Sequence, residues 1–300
     1  MIEIIYPTSK FFGGRAPDWY DYLKSGFVTL GSLVLSEELS KISTFKMNFC
    51  VAAIDIKING KATRIWYDWS DFETAHKELM RSGDLYFKMQ YSLDYIEDRS
   101  IYPTGICVIP IDQLQRIMTL RFLKDKRDYK YDLLGMFRTT NYDLRRKAVE
   151  IIRARNDWKS LSGLKWTTER PEVPRELQVE PLPYFEHLEA QCRSKICLSF
   201  PGVGTRFGFN GRFAELTAMG CCVMMPRPEF DMFGTLFKSA IIIERDLSDL
   251  EEKVDYYLKH DEEREEIAHN GLEIFDRWLS PRAIALDIVE KVHNANLLSG

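Results

Sequence analysis

KICLSFPGVGTRFGFNGRFAELTAMGCCVMMP, residues 195–226, runs from a wholly apolar strand into a loop carrying Gly202 and Gly204, then a helix opening near Gly211, then a second apolar strand. Strands that are apolar throughout belong to parallel sheets covered on both faces. In such sheets ligands bind where loops and helix N-termini gather at the carboxyl ends of the strands. This loop has the chemistry for an anion: free N–H groups at a helix start attract phosphate, and glycines allow close approach. Arg206 and Arg212 add guanidinium forks that suit phosphate oxygens. Glu215, three residues after Arg212, falls on roughly the same helix face, where a carboxylate can accept two hydrogen bonds from a ribose diol. Ordinary loop glycines and a surface Arg212–Glu215 ion pair have the same spacing. The pattern is not the GxGxxG dinucleotide fingerprint, because positions 202, 204 and 207 read Gly, Gly and Phe.

Strand-like and helix-like segments alternate on either side of this stretch. YDLLG (131–135) predicts a strand, and residues 141–155 predict a helix with Leu144, Ala148, Ile151 and Ile152 on one face. KSLSGLKW is a weaker strand, and LPYFEHLEAQCRSK a helix with Phe185, Leu188 and Cys192 in register. Downstream, SAIII is another buried strand. Ser248 with Glu251 forms a capping box for a helix running to about His260, a further helix spans about 261–278, and Ser280–Pro281 opens the last. The βαβα order places the chain in the α/β class with a parallel, doubly wound sheet.

The first 130 residues are less regular. IEIIYP is a short strand, a helix runs from Pro17 to about Leu23, and Asn59–Gly60 between FCVAAIDIKI and KATRIWYDW is a strong hairpin signal. DFETAHKELMRSG reads as helix, DLYFKMQY as strand, and ICVIPI as a further strand. The sequence therefore suggests a smaller α/β domain embellished by a β-hairpin. The charged run LKDKRDYK (123–130) is the linker candidate.

Composition narrows the chemistry. The 300 residues are 45% hydrophobic and 29% charged, as in a globular protein with real cores, and the net charge of −4 gives no global attraction to nucleic acid or acidic membranes. No apolar run approaches the roughly 20 residues needed to span a bilayer, and the N-terminus lacks a signal-peptide pattern. The six cysteines include no CxxC pair and read as buried thiols of a reducing compartment, so a cytoplasmic location is expected. There is no DxD motif, no HxxxH or HxH spacing, no Cys/His zinc cluster, no GxSxG elbow and no GxxxxGK[ST] loop.

The order SK, apolar strand, proline–glycine loop, then R-F-x-E-L-x-A-M-G-C and a second strand resembles the C-terminal domain of group-1 and exostosin-like GT-B glycosyltransferases. DLLGMFRTTNYDLRRK upstream and DLSDLEEKVDYYLKHDEEREEIAHNG downstream extend the resemblance to about half the chain. It implies a GT-B-like fold of two Rossmann-like α/β domains facing a cleft. Residues 1–129 would form an acceptor-side domain with the hairpin, and 130–300 a nucleotide-sugar domain whose last helix (281–295) packs back on the first. It further implies transfer of a sugar from a nucleoside diphosphate, such as a UDP-sugar, to an acceptor hydroxyl, without metal or other cofactor. The acceptor stays open among glycan, small molecule, protein and modified DNA base.

In this resemblance Glu215 holds the ribose, while the loop chemistry above has Gly202, Gly204, Arg206 and Arg212 face the diphosphate. Many retaining members carry a second Glu eight residues earlier, where this chain has Phe207. Arg138, after the strand at 131–135, would reach a phosphate, and Tyr184 would border the nucleobase. Gly13 and Gly14 resemble the glycine loop of GT-B N-domains, with Lys88 and Gln90 lining the acceptor side. For a catalytic base the candidates are Asp68, Asp71, His76 and Asp94, and Asp94 is preferred because it follows a strand end. A non-catalytic nucleotide or nucleotide-sugar sensor of the same fold is the alternative, with a Rossmann oxidoreductase below it for want of the fingerprint.

Overall fold

A computed structural model describes residues 1–8, 16–46, 49–70, 74–105, 109–122, 128–139, 142–165, 173–200, 211–229, 231 and 234–298. The chain divides into two compact units, Met1–Leu114 with Asp276–Gly300, and Gln115–Phe275. In the first unit the elements are β1 (Ile2–Pro7), α1 (Ala16–Val28), β2 (Ser32–Ser36), α2 (Glu37–Ile42), β3 (Thr44–Lys46), β4 (Phe49–Ile58), β5 (Lys61–Asp68), β6 (Leu85–Lys88) and β7 (Ile101–Pro103). Helix α3 (Ile111–Phe122) carries the chain into the second unit. There follow β8 (Tyr131–Phe137), α4 (Tyr142–Ala154), β9 (Ser160–Lys165), β10 (Gln178–Val179), α5 (Tyr184–Cys192), β11 (Ser194–Leu198) and α6 (Gly211–Ala218). The unit closes with β12 (Val223–Pro226), α7 (Leu236–Ser239), β13 (Ile241–Ile243), α8 (Leu250–Lys259) and α9 (Asp261–Ile274). Helix α10 (Pro281–Leu298) belongs to the first unit.

The second unit holds a sheet in the order β10-β9-β8-β11-β12-β13, with every described strand pair parallel. Counted from β8, that is the 3-2-1-4-5-6 order of a doubly wound nucleotide-binding fold. The order reverses between β8 and β11, where Leu133 lies opposite Ile196 and Leu134 opposite Cys197. Val223, Met224, Met225 and Ile243 are fully buried, as strands covered on both faces require. Helix α6 ends in a Schellman motif: Gly220 N–H bonds Thr217 O at 3.0 Å and Cys221 N–H bonds Leu216 O at 2.9 Å. Gly220 takes φ +66°, a left-handed conformation that a side chain would disfavour, and this explains the G-C at the end of the motif.

The first unit is built on a mixed sheet, β2-β1-β4-β5-β6-β7, with β3 pairing β4. The Asn59–Gly60 hairpin joins β4 and β5 as expected, but these are the middle strands of the sheet and not an embellishment. Val51, Ala53, Ile54, Ile56 and Ile65 on them are completely buried. The run read as helix from Asp71 to Gly83 contains, among its described residues, only a 3-10 turn at Lys77–Leu79. The N–H groups of Ala75 and His76 there donate to the hydroxyls of Tyr95 and Tyr86, at 2.8 and 3.1 Å, which fixes the segment in an irregular path. Ser248 likewise sits in the turn before α8, which begins at Leu250.

The units divide inside α3, earlier than the charged run at 123–130. The later part of α3 is tied to the second unit, for Arg121 Nε donates to Ala218 O at 2.8 Å and its guanidinium lies 5.4 Å from the Phe275 ring. Within the first unit α10 packs on α1, where Tyr22 Oη donates to Leu279 O at 2.6 Å. No helix among the described residues is long and apolar enough to cross a membrane.

Gly26 marks the tightest point of that helix pair, since a Cβ there would overlap the Pro281 carbonyl and touch Ala285. Gly26→Val should cost about 1–3 kcal/mol, as overpacking does, read as a lower urea midpoint. An unchanged midpoint would mean that α1 and α10 do not meet in solution.

Candidate functional site

The crevice at a strand-order reversal is where a doubly wound sheet receives its ligand. Here the strands concerned are β8 and β11, which end at Phe137 and Leu198. Arg138 and Thr139 continue from the first, and Ser199 and Phe200 from the second. The Phe137 and Phe200 rings stack with centroids 5.0 Å apart, closing the apolar floor. Gly202, Gly204, Arg206 and Phe207 lie outside the described residues, as do Gly13, Gly14 and Asp71.

On α6 the side chains of Phe213, Ala214, Leu216 and Thr217 are buried, whereas Arg212 and Glu215 are only half-buried. Both of the latter are held from α5. Tyr184 Oη donates to Glu215 Oε2 at 2.8 Å, and Gln191 Nε2 donates to Oε1 at 2.9 Å. An ionised carboxylate has about four acceptor positions, so two remain for a pair of hydroxyls. Arg212 Nη1 donates to His187 Nε2 at 2.8 Å, which places the imidazole proton on Nδ1. That nitrogen is buried with no partner among the described residues, at a cost of about 1–3 kcal/mol. Positions 184, 187 and 191 follow helical spacing, so one stripe of α5 serves both α6 side chains. The expected α5 register differs in one respect: Leu188 and Cys192 are buried, but Phe185 is 45% exposed.

Three more cations, Arg138, Arg145 and Lys165, gather at the strand ends. Arg145 on α4 is buried, donating from Nη1 to Arg138 O at 3.1 Å and from Nη2 to Phe200 O at 2.9 Å. Burial, with Arg212 and Arg138 nearby, pushes its guanidinium down to about 10. Lys165, the last residue of β9, is lowered by burial and by Arg212 and Arg138, with Glu215 opposing. His187 is pushed down to about 2 by burial, then Arg212, then Lys165. Arg138 and Arg212 thus disfavour charge on Arg145 and Lys165, a condition that a bound polyanion would relieve.

Arg138, Tyr184, Arg212 and Glu215, singled out from the sequence, are brought together. Arg145, Lys165, His187 and Gln191 were not foreseen. Residues 144, 148, 151 and 152 were read as the inner face of α4, whereas Arg145, Ala148, Val149 and Ile152 are the buried ones. Arg145 lies beside that stripe, and its guanidinium reaches two backbone carbonyls. For Lys165, its place at the carboxyl end of a weakly signalled strand was the available clue.

In the first unit Lys88 and Gln90 are buried. Lys88 Nζ lies 3.0 Å from Asp68 Oδ2, both side chains are fully enclosed, and Ser70 Oγ accepts from Nζ at 2.8 Å. Tyr86 Oη also donates to Asp68, at 2.7 Å. Lys88 and Asp68 therefore lock the ends of adjacent strands and do not line a surface. Asp94 is exposed, in a 3-10 turn beyond β6 where the Ser92 hydroxyl lies 3.1 Å from its carboxylate. His76 Nδ1 is 3.0 Å from Glu78 Oε1.

Residues 118–290 match the model of a family described as glycosyl transferase-like. The chain belongs to this family. The matched region takes in all the crevice residues named above. No curated protein sequence matches the chain. Among solved structures, Anabaena HepE in complex with UDP is similar at a TM-score of 0.50 and 12% identity, over 72% of this chain and 66% of HepE. A trehalose 6-phosphate synthase from Burkholderia multivorans gives a TM-score of 0.46 and 14% identity, over 74% of this chain and 60% of that one. The N-terminal domain of Candida albicans trehalose-6-phosphate phosphatase gives 0.41 and 13%, over 64% and 49%. The chain thus covers 49% to 66% of the length of these three proteins. The likeness to HepE is one of fold, and the fold class of this family member is GT-B-like α/β.

The depressed His187 pKa makes stability depend on acid. Below the unfolded value of about 6.5 the unfolded chain binds a proton that the folded site refuses until about 2. Wild type should therefore lose stability relative to His187→Phe by up to about 1.4 kcal/mol per pH unit below 6.5. Urea unfolding of both proteins at pH 7 and pH 5 measures this. Parallel losses would rule out a buried neutral imidazole.

Proposed function

We propose that the chain is a glycosyltransferase using a nucleoside-diphosphate sugar, with a UDP-sugar as the first donor to test, and transferring the sugar to an acceptor hydroxyl. One observation carries the reading: Arg138, Arg145, Lys165 and Arg212 converge at the β8–β11 reversal near the carboxylate of Glu215, which keeps two acceptor positions open. Membership of a glycosyl transferase-like family and the fold likeness to the UDP-bound HepE support it. In this reading Glu215 accepts from the ribose hydroxyls, Tyr184 borders the base, and Arg212 and Arg138 meet the diphosphate. Gly202, Gly204 and Arg206 complete the donor loop.

The chemistry asked of the site is stabilisation of the negative charge that builds on the leaving diphosphate. Four preset cations supply that field, so in our reading transfer needs neither a metal nor another cofactor. Asp94, exposed where Asp68 is locked in an ion pair, is the base proposed for the acceptor hydroxyl. Gly13 and Gly14 keep their proposed acceptor-side role. The acceptor class, glycan, small molecule, protein or modified DNA base, is left open, and a cytoplasmic setting is part of the proposal.

Calorimetric titration with UDP, GDP and ADP and their sugars tests the donor. UDP should bind, more weakly as salt rises, and Glu215→Ala should weaken it by about 100-fold, the worth of two hydrogen bonds to a charged group. Folded protein that binds none of the panel would sink the reading. Asp94→Asn should leave UDP affinity unchanged and abolish turnover, measured as UDP release from the sugar donor. Full turnover in that variant would remove Asp94 from the mechanism, and tight binding without turnover by wild type on any acceptor would favour a sensor.

A further inference from the structure

Arg212 stands in the first turn of α6 on a long, flexible side chain, facing like charges. Arg145 and Lys165 both feel it as a repulsive neighbour. Repulsion from these cations would turn the guanidinium outward, and the Glu215 carboxylate three residues on is bonded by Tyr184 and Gln191 and not by Arg212. The group that keeps it there is His187, whose Nε2 accepts from Nη1 at 2.8 Å. His187 is 3% exposed and rides on a regular helix, so the acceptor is rigid. Gln191 Nε2 lies 3.3 Å from the same imidazole nitrogen while its main bond goes to Glu215.

The chemical identity of the acceptor matters. A carboxylate at position 187 would hold Arg212 more strongly, but it would cancel the charge that a phosphate needs. A neutral imidazole holds the cation and leaves its charge intact, and burial keeps that imidazole neutral across ordinary pH.

We infer that His187 is a positioning residue, a neutral acceptor that fixes Arg212 toward the diphosphate, while Tyr184 and Gln191 fix Glu215 toward the ribose. The inference rests on the nucleotide reading above. It predicts that changes at 187 alter the discrimination between UDP and uridine, and that they spare uridine itself.

The test compares His187→Phe, His187→Gln and His187→Glu with wild type, measuring UDP by calorimetry and uridine by NMR titration, with a thermal melt as the folding check. His187→Phe should weaken UDP about tenfold, the loss of one hydrogen bond to a charged group, with uridine unchanged. His187→Gln, which restores a neutral acceptor, should recover most of the UDP affinity. His187→Glu should lose it again despite the near-identical shape of Glu and Gln, so that pair decides the matter even if the Phe variant folds poorly. Equal UDP affinity for Gln and Glu, or parallel losses of UDP and uridine, would overturn the role of His187. Wild type that binds neither ligand would instead overturn the nucleotide reading itself, and this proposal with it.

Discussion

The parallel pairing of β8 with β11 is the constraint on which the second unit depends. Because the strand order reverses there, the connections leaving the two strands run to opposite sides, the arrangement at which doubly wound sheets receive ligands. The protein ties the two strand ends together with one side chain. Arg145 reaches up from α4 and bonds the carbonyls of Arg138 and Phe200, the backbone groups just past the two strands. A buried guanidinium is tolerable only when its donors find acceptors, and those carbonyls would themselves lack partners at the end of a ladder. Each solves the other's difficulty, and the result is a fixed positive charge at the floor of the crevice.

The remaining site follows from where the next helices land. With β11 buried on both faces, α6 must turn Phe213, Ala214, Leu216 and Thr217 inward, which leaves Arg212 and Glu215 as its half-buried positions. Helix α5 then meets them with Tyr184, His187 and Gln191. The two units use buried charge in contrasting ways. Lys88 and Asp68 in the first are mutually neutralised and enclosed, a fastening between neighbouring strands. In the second, Arg138 and Arg212 crowd Arg145 and Lys165 and lower the proton affinity of both. Like charges held this close cost stability, in contrast to the enclosed pair of the first unit.

Local chemistry made much of this legible in advance. The apolar strands, the alternation of strand and helix after Tyr131, the Asn59–Gly60 turn and the G-C stop after α6 all express short-range physics: periodicity, backbone sterics and capping. Arg212 and Glu215 could be paired because helix spacing is fixed at i, i+3. The same rules misread the segment from Asp71 to Gly83, where hydroxyls of Tyr86 and Tyr95, distant in sequence, take the backbone N–H groups of His76 and Ala75. They also misplaced the division between the units, since the ties of Arg121 to Ala218 and Phe275 span a large sequence separation.

By itself, then, the sequence determined the α/β class, the strand and helix order on either side of α6 and the two half-buried side chains Arg212 and Glu215, because each depends on neighbours within a few positions. Only the tertiary structure decided which side chains join them. Arg145 faces inward because two carbonyls from separate strands await it, and Lys165 enters because β9 ends beside β8. His187 is a ligand for Arg212 because α5 and α6 pack with those turns in contact. Charge does not announce burial in a linear chain. Whether a cation is solvated or enclosed is set by acceptors that arrive from elsewhere in the fold.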